Sequence, residues 1–309
     1  MTPAGFVTVP RCWICGGAGF DAVHEAAFDL AVYRQQDPEL AEYTGSRVIV
    51  QRCRACGFAQ PAALPSLPNY FDRMYDQRWS DDWVEQEHEA PTKDRIFTDI
   101  LSALGDRVRG GRRLLDVGAH VGRFLRLARE QGWTGEGLEL NPKTAAYAAR
   151  MSGAPVHQGN IHAFQPQRCY DAVTLTDVLE HVPEPMTVLR RVRDLVCDGG
   201  WIAVKVPNGD AQRIKENLRH RLRPAYRATV ADNLVHVNHF SAGSLARALS
   251  SAGFRDVTVA AGAPELPGDP HRLTRDRLVR LTAYRLARAI PGGASLPFSF
   301  NLQAYGRRG

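Results

Sequence analysis

At 309 residues, 44% of them hydrophobic and 23% charged, the chain has room for one large α/β domain and a small appendage. No apolar run approaches the roughly 18 residues of a membrane span, and the opening MTPAGFVTVPRC has neither a basic region nor an apolar core, so no anchor or secretory leader is expected and the protein is placed in the cytoplasm. The net charge of +6 rests on Arg, with Lys only at 93, 143, 205 and 215; acidic residues are interspersed with it, so nucleic acid is not an expected partner.

Two Cys-x-x-Cys-Gly units come first, CWICG with Cys12 and Cys15 and CRACG with Cys53 and Cys56. Each tight turn presents two thiolates to one tetrahedral ion, and a reducing cytoplasm disfavours paired structural disulfides. Four Cys ligands leave no open position, so the predicted Zn2+ is structural. Residues 1–65 are assigned to this zinc-ribbon-like module, in which VIVQRC is a strand leading into the second unit. Its few apolar residues make the metal a main source of its stability. A proline-rich connector, 61–70, opens a linker over 66–112, where 81–105 reads as helix with Ile96, Phe97, Ile100, Leu101 and Leu104 on one face.

From Arg113 strands and helices alternate, which predicts a mostly parallel sheet of seven strands at 113–117, 134–140, 155–158, 170–175, 200–206, 254–261 and 298–305. Helices are predicted at 122–131, 142–151, 185–197 and 241–252. Cys169 and Cys197, beside apolar strand-like segments, read as plain buried thiols. Two segments interrupt the alternation and are expected to cap the site: 207–240, with Arg213, Lys215, Arg219, Arg221, Arg223 and Arg227, and 262–297, with an amphipathic Arg-rich helix around 272–289.

The stretch LLDVGAHVGRFL, 114–125, has the form of a buried strand, a glycine turn and the first turn of a helix, and such a turn lets backbone approach a ligand closely. Glu139 ends the second strand 23 residues after Asp116, a position from which a carboxylate can accept from both hydroxyls of a ribose. QGNIHAF places polar Asn160 and apolar Ile161 just after the third strand, where they could hold an adenine ring; YDAVTLTDVLEHVPEP and DGGWIAVKVPN supply the fourth and fifth strands with their loops.

This ordered set resembles the class I S-adenosylmethionine-dependent methyltransferases over roughly 113–261 and the final strand. The resemblance implies a Rossmann-like α/β fold and S-adenosylmethionine as cofactor. It places Asp116, Gly118 and Gly122 against the methionine part, Glu139 on the ribose, Asn160 and Ile161 on the adenine, and Thr176 and Asp177 on the floor. His120 stands where the family pattern has a glycine or small residue; its imidazole either turns outward or to the substrate, or narrows the cofactor pocket. The N-terminal Cys pairs and the aromatic stretch YFDRMYDQRW resemble a bacterial group acting on small molecules, among them C-methyltransferases of nucleotide-linked deoxysugars; those sugar enzymes usually carry a further C-terminal domain, whereas this chain ends with the core.

Methyl transfer needs alignment of acceptor and methyl group, and a hydroxyl or carbon acid must also lose a proton, for which His is suited at neutral pH. The candidates are His181 at the mouth of the site, with capping as its other role, and His236 and His239, which could instead pack before a helix N-capped by Ser241. Tyr70 and Tyr75 either close over the cofactor or pack the linker, and the basic 213–227 stretch either binds an anionic acceptor or is a solvated face. The expected partner is therefore a small-molecule acceptor, anionic or nucleotide-linked compounds included, methylated on oxygen or carbon. Two other readings stay open at this level: an RNA methyltransferase using the module and arginines, and a non-catalytic protein-binding module in which His120 blocks the cofactor.

Overall fold

The computed structural model describes residues 5–76, 81–222, 232–268, 272 and 274–309. It begins with five short strands, β1 (Phe6–Thr8), β2 (Phe20–Ala27), β3 (Arg47–Cys53), β4 (Ala59–Pro61) and β5 (Ala63–Pro65), and a single helical turn α1 (Pro38–Ala41). β2, β3 and β4 form an antiparallel sheet, and β1 pairs with β5. The predicted VIVQRC strand is the greater part of β3. Both cysteine turns are closed by backbone, Gly16 N–H donating to Cys12 at 2.8 Å and Gly57 N–H to Cys53 at 2.9 Å. The module has more of a core than its few apolar residues led one to expect, since Ala26, Phe28, Leu30, Leu40, Val48 and Val50 pack together with Tyr70, Met74 and Leu234. Cys12, Ile14, Cys53 and Phe58 join the main cluster with Phe240, Leu245 and Leu249, the Phe58 and Phe240 rings lying 4.9 Å apart.

Three helices follow, α2 (Tyr70–Asp76), α3 (Asp81–Glu89) and α4 (Asp94–Arg107). The predicted 81–105 helix is two, because Pro91 has no N–H to continue α3 and the chain turns through a 3-10 segment at Pro91–Lys93. The expected apolar face of α4 is buried in full.

The main sheet comprises β6 (Arg113–Val117), β7 (Thr134–Glu139), β8 (Val156–Gln158), β9 (Tyr170–Thr176), β10 (Val196–Pro207), β11 (Phe254–Gly262) and β12 (Asn301–Arg308). Their order is β11-β12-β10-β9-β6-β7-β8, and only β12 runs against its neighbours. The helices are α5 (Arg123–Glu130), α6 (Pro142–Ser152), α7 (Pro185–Leu195), α8 (Gly209–Leu222), α9 (Ala242–Ser251) and α10 (Arg275–Ala289). Alternate residues of β9 serve opposite faces, Val173 and Leu175 packing with α7 and α9 and Ala172 with α4 and α5. This is the expected α/β fold. Ser241 caps α9 through a reciprocal pair of hydrogen bonds with Ser244. Strand order reverses between β6 and β9, so a crevice opens at their carboxyl ends.

Two expectations change. Cys169 and Cys197 are not thiols but a disulfide, with Cα atoms 5.0 Å apart. Tyr170 pairs with Val196 across β9 and β10, which makes the adjoining cysteines neighbours, and that register leaves no mark in either local sequence. The Arg-rich helix α10 lies against α4, where the Tyr284 hydroxyl donates to Asp99 at 2.6 Å, and contributes no residue to the crevice.

Candidate active site

The crevice is a cavity of about 380 Å³. One end is made by the β6–α5 loop and the end of β7, the other by the loops after β8 and β9 and the turn before α4. Asp116, Gly118, His120, Glu139, Asn160, Ile161, Thr176, Asp177 and His181 all line it. Of the residues expected at the cofactor, Gly122 does not. Its φ is +78°, and a Cβ there would stand 2.7 Å from the Ala148 carbonyl, so it seats α5 on α6. Gly118 meets the cavity directly: its φ is +77°, and a Cβ would come within 2.5 Å of Val178.

Two buried acids mark the first end. Asp116 accepts from the Thr174 hydroxyl at 2.7 Å, and burial pushes its carboxyl up to about 8, the Glu139 charge adding to the effect. Glu139 Oε2 accepts from the His120 N–H at 2.8 Å, and Oε1 accepts from the Asn141 N–H at 3.1 Å and the Tyr75 hydroxyl at 3.3 Å. Burial still raises Glu139 above the ordinary carboxylate value. Among the described residues neither acid has an ion-pair partner. Tyr75 lines the cavity, whereas Tyr70 is buried beside it with its hydroxyl on the Asn233 carbonyl.

His120 has φ +52° and lines the cavity. Burial, then the charge of Lys93, brings its imidazole down to about 4. Lys93 leads to a charge cluster that reading the chain for motifs misses. Asp177, at φ +57°, pairs through one oxygen with Lys205 and through the other with Lys93 at 3.1 Å. Burial works to raise Asp177, but the two ammonium groups overcome it and hold the carboxyl well below its usual range. Glu265 stands 3.8 Å from Lys205, and Glu87 3.9 Å from Lys93. The one signal for this cluster is the rarity of Lys, since two of the four lysines in an Arg-rich chain lie here.

The histidines separate. His181 Nδ1 donates to the Val235 carbonyl at 2.6 Å, and its ring stands 4.9 Å from that of His236. Val237 and Asn238 N–H both donate to the Glu180 carbonyl, and the Asn238 amide donates to the Leu179 and Val182 carbonyls at 2.6 Å each, so segment 235–238 is clamped to the β9–α7 loop. Burial, with His181 adding, brings His236 down to about 3. His239 is elsewhere: its backbone exchanges both hydrogen bonds with Ala59, and its ring meets that of His24 at 5.8 Å. Arg213, Lys215, Arg219 and Arg221 do not line the cavity, and Arg223 and Arg227 lie outside the described residues.

The four module cysteines converge, with Sγ atoms of Cys12 and Cys56, and of Cys15 and Cys53, 3.5 Å apart.

Residues 87–259 match the family profile described as "Methyltransferase domain". The chain belongs to that family. Among curated relatives, the chain is 31% identical over 139 residues to a protein of Cronobacter sakazakii and 34% identical over 127 residues to one of Escherichia coli O157:H7, both named "Ubiquinone biosynthesis O-methyltransferase". These alignments cover 42% and 38% of this chain, and the chain spans about half the length of those relatives, 57% and 53%. A solved S-adenosylmethionine-dependent methyltransferase of Thermotoga maritima aligns at 15% identity and a TM-score of 0.49, over 77% of this chain and 98% of its own. No helix among the described residues is long and apolar enough to cross a membrane.

Proposed function

We propose that the cavity binds S-adenosylmethionine and that the methyl group passes to the oxygen of a small-molecule acceptor at the His181 end. The observation that carries this reading is the pair of buried acids, Asp116 and Glu139, with no ion-pair partner among the described residues. A ligand bearing a positive ammonium and hydrogen-bond donors suits such a site, since it replaces the solvation that burial removed. Bound there, S-adenosylmethionine supplies a methyl group activated by its sulfonium.

Glu139 takes the ribose hydroxyls in this reading, while Asn160 and Ile161 hold the adenine. Asp116 faces the methionine part, Gly118 leaves it room, and Thr176 and Asp177 form the floor, with Asp177 fixed by its two lysines. Loss of the acceptor proton is assisted by His181, with His236 held behind it. His239, bonded to the zinc module, is a packing residue. Cys12, Cys15, Cys53 and Cys56 hold a structural Zn2+: four thiolates about 2.3 Å from one ion lie roughly 3.8 Å apart, close to the spacing found here. Oxygen as the acceptor atom draws support from the names of the two relatives, and a small-molecule acceptor from the size of the cavity.

The test follows labelled methyl transfer from S-adenosylmethionine to a panel of phenols, catechols and nucleotide-linked sugars. Loss of an assisting imidazole costs about 10²–10⁴-fold, so His181→Ala should fall by at least 100-fold and His239→Ala by far less. Equal turnover of His181→Ala and the parent protein would overturn the assignment of the acceptor end.

A further inference from the structure

Between α4, α10 and the β11–β12 edge of the main sheet lies a second cavity, of about 590 Å³ against about 380 Å³ for the crevice. The two share no lining residue. Tyr305 of β12 lines the second cavity and is 4% exposed, yet its hydroxyl has no hydrogen-bond partner among the described residues. A buried tyrosine ordinarily finds one, because leaving a polar group unsatisfied is costly. Burial pushes this hydroxyl up to about 12, against the opposing pull of Arg107 and Arg288, so at neutral pH it keeps a proton to donate.

The same two arginines line the cavity. Arg107 lies 4.5 Å from the centre of the Tyr305 ring and 5.6 Å from that of Trp201, and its Nη1 donates to the Ala103 carbonyl at 2.9 Å. Arg288 lies 5.9 Å from the centre of the Tyr284 ring. Ring contacts orient a guanidinium without cancelling its charge, and neither arginine has an ion-pair partner among the described residues. The acids of the lining do not supply one. Asp99 accepts from the Tyr284 hydroxyl at 2.6 Å through one oxygen and pairs with Arg95 at 3.0 Å through the other. Asp106 is exposed, where water and salt screen its charge. Two unpaired cations and an unused hydroxyl donor are thus gathered around one buried ring.

We infer that this cavity binds a phosphate-bearing small molecule, with Arg107, Arg288 and Tyr305 holding the phosphate. The three donors come from three separate elements, α4, α10 and β12, which suits a group with three free oxygens better than a planar carboxylate. Guanidinium groups match such an oxyanion because they can donate two parallel N–H bonds to it. The cavity is larger than a bare phosphate fills, and Val259, Ala261 and Ala294 offer apolar surface to an organic body. This site is separate from the crevice and does not rest on the methyl-transfer reading.

Phenyl phosphate is the probe, with benzoate and inorganic phosphate beside it, each titrated by calorimetry into full-length zinc-replete protein at fixed ionic strength. One equivalent of phenyl phosphate should bind, about threefold or more tighter than either comparison compound. Its affinity should fall about tenfold or more in Arg107→Gln and in Arg288→Gln, and about threefold in Tyr305→Phe. An unchanged far-ultraviolet dichroism spectrum certifies folding, and Arg288, being exposed, is the substitution that spares the packing. No binding of phenyl phosphate to the parent protein, or equal binding to parent and folded Arg288→Gln, overturns the site. Benzoate bound as tightly as phenyl phosphate overturns phosphate as the recognised group, and inorganic phosphate bound as tightly overturns the organic body.

Discussion

Lys205→Met removes the buried one of two cations held by the part-buried Asp177 carboxylate, and its cost can be worked from the contacts. Lys205 is 1% exposed and pairs with one oxygen of Asp177, while Lys93 holds the other at 3.1 Å. Removing one partner of a buried pair costs about 3–5 kcal/mol, because the remaining charge loses its compensation. Here Lys93 stays and the Asp177 side chain keeps 19% of its exposure, so no more than the lower limit of about 3 kcal/mol is expected. With roughly 2–4 °C of melting temperature per kcal/mol, that corresponds to a fall of about 6–12 °C. Urea unfolding of Lys205→Met, Asp177→Asn and the double variant measures both the cost and the coupling. The double variant should be less destabilised than the sum of the singles by at least ~1 kcal/mol. Additive effects, or a Lys205→Met protein as stable as the parent, would refute the view that this pair is a mutually dependent unit.

Asn238→Ala leaves the Leu179 and Val182 carbonyls without their donor, so unfolding free energy should fall by roughly 2–4 kcal/mol; a change within error in urea melts would contradict the clamp. His239 should make stability depend on pH: burial lowers its folded value to about 4 from 6.5, so the unfolded chain binds more protons between these values. Its contribution is complete above pH 6.5 and is lost as pH falls toward 4, with a slope of at most ~1.4 kcal/mol per pH unit, and His239→Gln should flatten the measured slope. Cys53→Ser, which breaks the four-thiol cluster, should speed hydrogen exchange at the Ala59 and His239 amides by tenfold or more, equivalent to about 1.4 kcal/mol; unchanged exchange would separate the module from segment 232–240.

Much of the sheet is legible in the chain because each strand is a buried run bounded by turn residues, as in LLDVG and YDAVTLT. The glycine turn and Glu139 are legible because their chemistry depends on local spacing. What is not legible depends on register and on meetings between distant segments. Cys169 and Cys197 become a disulfide only through the pairing of Tyr170 with Val196. His236 and His239 stand three residues apart in one polar stretch, yet the bridge to Ala59 turns one to the module while Val235 and Glu180 hold the other beside His181. Lys93, Asp177 and Lys205 come from a 3-10 turn, a strand end and another strand, and only the fold assembles them.

Calorimetric titration of zinc-replete protein with S-adenosylhomocysteine, beside Glu139→Gln, examines the assignment on which the rest depends. Micromolar binding is expected in the parent protein. The variant keeps one acceptor oxygen but loses the charge, so a loss of about 1.5–3 kcal/mol, or roughly 10–100-fold in affinity, should follow. No binding to folded protein, or equal affinity in the variant, would contradict the cofactor site.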